Sequence, residues 1–175
     1  MGMDLAKIPW VKTVCEIGFN AGHSAVSWLA ANPDIFLYSF DLGYHKYTRP
    51  IAQYLKQRYP GRFEIILGDS TKTLPKFIAS HPTVKCDVMS IDGGHFYDIA
   101  LHDFNNFRKM ASARNLLHYD DYPSCSHPVQ AQEIGKVWED KRENGEMTEV
   151  LKCCFKKDVK NKIGMKGFSV GHIHI

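Results

Sequence analysis

No run of apolar residues in this chain approaches the length of a membrane-spanning helix, and Met1 to Lys7 has no apolar region of the kind a secretion signal carries. A soluble, cytoplasmic protein with no membrane partner is the expectation. Charge of one sign is equally scarce. Lysine and arginine number 22 against 19 acidic residues, a net +3, and the basic residues are scattered apart from Lys156, Lys157, Lys160 and Lys162. That is no footprint for nucleic acid. The five cysteines are an odd number without Cys-x-x-Cys spacing, which argues against a zinc finger and predicts free thiols in a reducing compartment. On this reading Cys15 and Cys86 are small core residues, and Cys153 and Cys154 face opposite sides of one strand. Internal repeats and low-complexity stretches are absent too. The 175 residues, 44% of them hydrophobic, therefore predict a single domain over 1–175.

What is present is organised around Val14 to Val26. Thr13 to Ile17 reads as a buried strand and Gly22 to Ala31 as the helix after it, with Ser24 in its first turn. The turn between them, Gly18 to Gly22, permits close approach of backbone to a ligand, and the helix start presents free N–H groups. Asn20 stands where a dinucleotide fingerprint would carry its middle glycine, so a pyrophosphate clamp is disfavoured. The plain alternative is a strand-turn-helix whose glycines serve packing alone.

Further along, Ile35 to Phe40, Phe63 to Leu67, Cys86 to Ile91 and Leu116 to Tyr119 read as strands. Between them lie helical patterns from Thr48 to Tyr59, Leu74 to Ala79 and Ala100 to Ala111, and a last helix runs from Pro128 to Glu143. Two strands, Thr148 to Phe155 and Phe168 to Ile175, finish the chain around a lysine-rich loop. Strand and helix alternate five times, which calls for a parallel sheet with right-handed crossovers and helices on both faces. The fold class is therefore α/β, a Rossmann-like doubly wound seven-stranded sheet, mostly parallel, with an antiparallel C-terminal hairpin.

Glu16-x-Gly18-x-x-x-Gly22 resembles the first motif of class I S-adenosylmethionine-dependent methyltransferases, and the element order from 11 to 175 resembles their fold. The resemblance implies that S-adenosylmethionine is the cofactor and that its amino-acid end lies at Glu16, Gly18, Asn20, Gly22 and Ser24. It also puts the ribose on Asp41 and the adenine beside Asp69 and Ser70. Asp69 and Ser70 read equally well as a turn and helix cap. Ile91 to Tyr97 resembles the Asp-Gly-x-His-x-Tyr signature of small-molecule O-methyltransferases, with Asp92 shared between cofactor, metal and catalysis. His95 falls where the catechol-type enzymes carry a basic lysine, and an imidazole is a suitable general base. A helix-start role explains His95 as well. Tyr119 to Tyr122 matches the Asp-Asp-Tyr of the macrolide-sugar type. Asp92, Asp120 and Asp121 would then converge as ligands for Mg²⁺, or stand as solvated loop carboxylates.

His118 reads as a satisfied core residue, and His172 and His174 as one solvated face of a terminal edge strand. His81, His102 and His127 suggest no partner. Two departures from the family stand out: Met110 to Asn115 replaces the usual Pro-Gly-Gly turn, and only about ten residues precede the first strand, so the lid is short or truncated. The leading expectation is an O-methyltransferase acting on a small hydroxylated acceptor. The alternatives are a non-catalytic methyltransferase-like binding module and a nicotinamide-dependent oxidoreductase. A homo-oligomer is left open.

Overall fold

The computed structural model describes residues 2–123, 130–159 and 162–175; His127, Pro128 and Lys160 lie outside them. A short helix α1 (Gly2–Ala6), not expected from sequence, precedes β1 (Thr13–Ile17), α2 (His23–Ala31), β2 (Phe36–Asp41), α3 (Thr48–Arg58), β3 (Phe63–Leu67), α4 (Ser70–Ser80), β4 (Cys86–Ile91), α5 (Tyr97–Met110) and β5 (Ala111–Asp120). The chain continues through α6 (Gln130–Glu143), β6 (Met147–Val159) and β7 (Lys162–Ile173). The seven strands form one sheet in the order β3-β2-β1-β4-β5-β7-β6. β1 to β5 are parallel, and β7 runs antiparallel between β5 and β6. β7 is thus an interior strand, not the edge expected for His172 and His174. His172 Nδ1 instead lies 2.9 Å from the Asn115 carbonyl.

Buried strands need apolar side chains on both faces, and two clusters supply them. On one face Val14, Leu37 and Val88 pack with Ala25, Trp28 and Leu29 of α2 and Leu55 of α3. On the other, Cys15, Phe40, Met89 and Ile91 pack with Leu74 and Phe77 of α4, Phe104 and Phe107 of α5 and Trp138 of α6. Local chemistry sets the helix ends. Arg62 donates to the carbonyls of Leu29 and Asn32 at the close of α2, taking up acceptors with no helical partner. Asp69 caps α4 by accepting from the Thr71 N–H, which starts that helix at Ser70 rather than near Leu74.

β5 starts at Ala111, directly after α5, rather than at Leu116. Asn115 makes the longer strand possible. It is buried, donates to the carbonyls of Ser112 and Ile173, and accepts from the Ile173 N–H, so it fastens β5 to β7.

The expectation of free thiols is corrected. Cys15 and Cys86 form a disulfide, because neighbouring β1 and β4 bring cysteines 71 positions apart within a Cα separation of 5.8 Å. Cys154 is also disulfide-bonded, and Cys153 is the free cysteine among the described residues. These bridges remove the reason for assigning a reducing compartment. No helix among the described residues is long and apolar enough to cross a membrane.

Candidate active site

In an open parallel sheet, ligands lie beyond the carboxyl ends of the strands, where the order reverses. Here the reversal lies between β1 and β4. Two cavities open at that edge, one of about 520 Å³ and one of about 230 Å³, and both are walled by Ile17, Gly18 and Asp92. They meet at the turn after β1.

Gly18 has φ 98°, and a Cβ there would lie 2.0 Å from the Asp92 carbonyl oxygen. The glycine is therefore required by the crossing of two protein segments. Gly22 likewise packs against Phe19 and Ile51, caps α2 at φ 73°, and lines neither cavity. Packing explains the glycine at both positions: Gly18, which also lines both cavities, lets the β1 turn cross the end of β4, and Gly22 lets that turn pack on Phe19 and Ile51. Asn20, at φ 48°, is fixed to the start of α3: its Oδ1 accepts from the Tyr47 hydroxyl at 2.7 Å and its carbonyl from Thr48 Oγ1 at 3.1 Å.

The larger cavity is lined by Asn20, Asp41, Gly68, Asp69, Ser70 and the Gly93-Gly94 pair, with Leu42, Tyr44 and His45 at its mouth. Asp41 accepts from the backbone N–H of Asn20 at 2.8 Å and of Gly43 at 2.7 Å, one on each oxygen. A carboxylate oxygen has two lone pairs, so each retains acceptor capacity toward the cavity. Asp69 both lines this cavity and caps α4. Hydrogen bonds from Thr71, together with nearby Lys72, hold its carboxyl below the usual range.

The smaller cavity is lined by Glu16, Ser24, Ser27, Trp28, Ser90, His118 and Asp120 as well as the shared residues. Glu16 is 1% exposed and its Oε1 accepts from Ser39 Oγ at 2.6 Å. Burial pushes its carboxyl up to about 7, against the opposing influence of Ser39, Ser24 and Trp28. Trp28 and Ser24 face the Glu16 carboxyl, yet Glu16 Oε2 and Trp28 Nε1, both buried, stop short of full hydrogen-bond geometry. Unsatisfied polar atoms of this kind cost stability and call for an explanation.

Beside Asp92, His95 Nε2 lies 3.5 Å from Asp121 Oδ2. Asp92, His95 and Asp121 each offer a ligand atom, all within 4.8 Å of one another. The third member of this cluster is His95, whereas Asp120 lines the smaller cavity. Strand alternation explains the separation: Asp120 shares its face of β5 with His118, while Asp121 follows the strand at φ 58° and turns toward β4. The sequence reading missed Ser90, His118 and Trp28. The signal for the first two was available, since each lies two residues before a strand-end aspartate and so on the same face.

A family model described as a methyltransferase domain matches residues 15–122. The chain belongs to the methyltransferase domain family. No curated protein matches it. Among solved structures, this methyltransferase domain resembles the O-methyltransferase TomG from Streptomyces achromogenes, involved in tomaymycin synthesis and solved with S-adenosylmethionine. The identity is 19%, the TM-score 0.74, and the match covers 98% of this chain and 78% of that one. An O-methyltransferase from Bacillus cereus in complex with S-adenosylhomocysteine aligns at 17% identity and TM-score 0.74, over 99% and 80% of the two chains. CalS11, a TDP-rhamnose 3′-O-methyltransferase of calicheamicin biosynthesis, aligns at 11% identity and TM-score 0.67, over 95% and 74%. These identities establish a shared fold, and its seven-stranded sheet is the one described above.

Proposed function

We propose that this protein transfers the methyl group of S-adenosylmethionine to a hydroxyl of a small molecule. The observation that carries the reading is the pair of cavities meeting at Gly18 and Asp92 in a member of the methyltransferase domain family. The larger accommodates adenosine, with the ribose hydroxyls on Asp41 and the base beside Asp69 and Ser70. The smaller accommodates the methionine end, whose ammonium suits Glu16. The sulfonium then falls at the junction next to Asp92.

His95 and Asp121 lie beside Asp92, and the acceptor hydroxyl is assigned to them. The His95 imidazole would take the acceptor hydroxyl proton, and S-adenosylmethionine, when bound, would supply the methyl group to that oxygen and leave as S-adenosylhomocysteine. The imidazolium so formed is stabilised by Asp121. No covalent enzyme intermediate is needed, and rate comes from holding oxygen, carbon and sulfur in line. A hydroxyl acceptor is supported by TomG, the Bacillus cereus protein and CalS11, all named as O-methyltransferases.

A second reading rests on the clustering of Asp92, His95 and Asp121. Two carboxylates and an imidazole fit a divalent cation, though Mg²⁺ prefers all-oxygen surroundings and Mn²⁺ tolerates imidazole better. When bound, such an ion would lower the pKa of the acceptor hydroxyl. Paired oxygens would serve it best, so catechols and vicinal diols lead the acceptor screen. Activity that vanishes in chelator and returns with Mg²⁺ or Mn²⁺ supports the ion; full activity in chelator leaves the proton to His95 alone.

Titration calorimetry with S-adenosylhomocysteine and with a nicotinamide dinucleotide tests the cofactor. Binding of the first and not the second is expected. The reverse would establish the oxidoreductase alternative, and cofactor binding without turnover on any acceptor would establish the binding module.

A further inference from the structure

The face of the sheet covered by α2 carries two successive rows of residues in register across β2, β1, β4 and β5. The first is Leu37, Val14, Val88 and Leu116, all apolar, as the interior of a parallel sheet requires. The next, one pleat nearer the carboxyl ends, is Ser39, Glu16, Ser90 and His118, all polar. Ser39, Glu16 and Ser90 are buried to within 5%. Four polar side chains in one row of a central sheet are expensive unless they satisfy one another or serve a ligand.

They satisfy one another only in pairs. Ser39 donates to Glu16, and Ser90 Oγ lies 3.1 Å from His118 Nδ1. Between the pairs is the smaller cavity, with the Glu16 carboxyl and Trp28 Nε1 buried at its wall, Trp28 and Ser24 turned toward Glu16 but Glu16 Oε2 and Trp28 Nε1 short of a full hydrogen bond. His118 is held in place on three sides. Ser90 fixes Nδ1, Phe168 of β7 stacks on the ring at 5.6 Å, and the strand backbone sets its height. With Nδ1 engaged, Nε2 is the ring nitrogen a ligand in the cavity would meet.

We infer that the Ser90–His118 pair is a specificity-determining element for the amino-acid end of the cofactor: it closes the smaller cavity opposite Glu16 and hydrogen-bonds the methionine moiety. This rests on the cofactor reading above. An α-amino acid end carries one cation and one anion about a single carbon. The cavity offers the Glu16 carboxyl for the cation, with Asp92 and Asp120 also on its wall, and for the anion it offers the imidazole, the donor that is not already turned toward Glu16. A purely packing role for His118 would need neither the Ser90 contact nor a ring on the cavity wall.

The test compares two probes that share adenosine and sulfur and differ in the amino-acid end: S-adenosylhomocysteine and methylthioadenosine. Calorimetry on wild type, His118→Leu, His118→Asn and Ser90→Ala is run after circular dichroism confirms folding. His118→Leu should weaken S-adenosylhomocysteine about ten- to a hundredfold while changing methylthioadenosine by less than about twofold. His118→Asn, which retains a polar group within reach of Ser90, should recover part of the loss, and Ser90→Ala should lose selectively but less. Equal losses on both probes, or unchanged affinity for S-adenosylhomocysteine, would overturn the inference and leave His118 a packing residue. If His118→Leu fails to fold, the same comparison with His118→Asn and Ser90→Ala decides it. Wild type that binds neither probe would overturn the cofactor reading itself.

Discussion

Replacing Glu16 with Gln separates what this residue does for binding from what it does to the fold. Its carboxyl is fully buried and moves from an ordinary 4.5 to about 7 in the folded chain, desolvation being the main cause. Between those two pH values the folded chain holds a proton that the unfolded chain has released. Wild-type stability therefore falls as pH rises through the window. The difference amounts to on the order of 3 kcal/mol once pH exceeds both values. Asp103, pushed from 3.8 to about 7 by burial, adds a slope of the same sign, but it is common to both proteins and cancels in the comparison. Urea unfolding of the ligand-free proteins should show Glu16→Gln gaining about 3 kcal/mol over wild type between pH 4 and pH 8, on top of any constant offset. Affinity for S-adenosylhomocysteine should move the opposite way, because the amide cannot pair with an ammonium. Stability curves that run parallel across this range would refute the burial argument. Unchanged affinity would remove Glu16 from the ligand.

Three further outcomes follow from the same geometry. Asp41→Ala should weaken S-adenosylhomocysteine by roughly 1.5–3 kcal/mol by calorimetry, through loss of a carboxylate hydrogen bond; an unchanged Kd would move the ribose elsewhere. His95→Gln should lower kcat about a hundredfold with cofactor affinity intact, and Asp121→Asn should lower it less; steady-state rates equal to wild type would reduce His95 to a helix-start residue. Reduction of Cys15–Cys86, which closes a separation of 71 residues, should cost about 4 kcal/mol and lower Tm in differential scanning calorimetry; coincident transitions with and without reductant would mean the thiols are not bridged in solution.

Much of the fold can be read from local pattern because β3 and β4 are short apolar runs between turn residues, and both occupy the residues expected from sequence, Phe63–Leu67 and Cys86–Ile91. The reversed hairpin follows from two strands with no helix between them. The longer β5 does not, because it depends on Asn115 bonding to a strand 58 positions away. The disulfide is hidden for the same reason: strand order, and not spacing, brings Cys15 to Cys86. Within the site, strand-end aspartates are visible as residue types, but their directions are not. The left-handed backbone at Asp121 parts it from Asp120 and puts it with His95. Gly18 shows the limit of motif reasoning most clearly. Its residue type was expected for a ligand; it lines both cavities, and the Asp92 carbonyl requires a glycine there in addition.

Methyl transfer within this cleft can be observed directly. The direct measurement incubates the purified chain with S-adenosylmethionine labelled in the methyl carbon, a panel of catechols, vicinal diols and sugar nucleotides, and the His95→Gln variant in parallel, followed by mass spectrometry of the acceptors. Label on an acceptor oxygen with wild type, stoichiometric S-adenosylhomocysteine, and a rate about a hundredfold lower for the variant are expected. Label on nitrogen or carbon, or equal rates for the two proteins, would contradict methyl transfer to oxygen with His95 as the base.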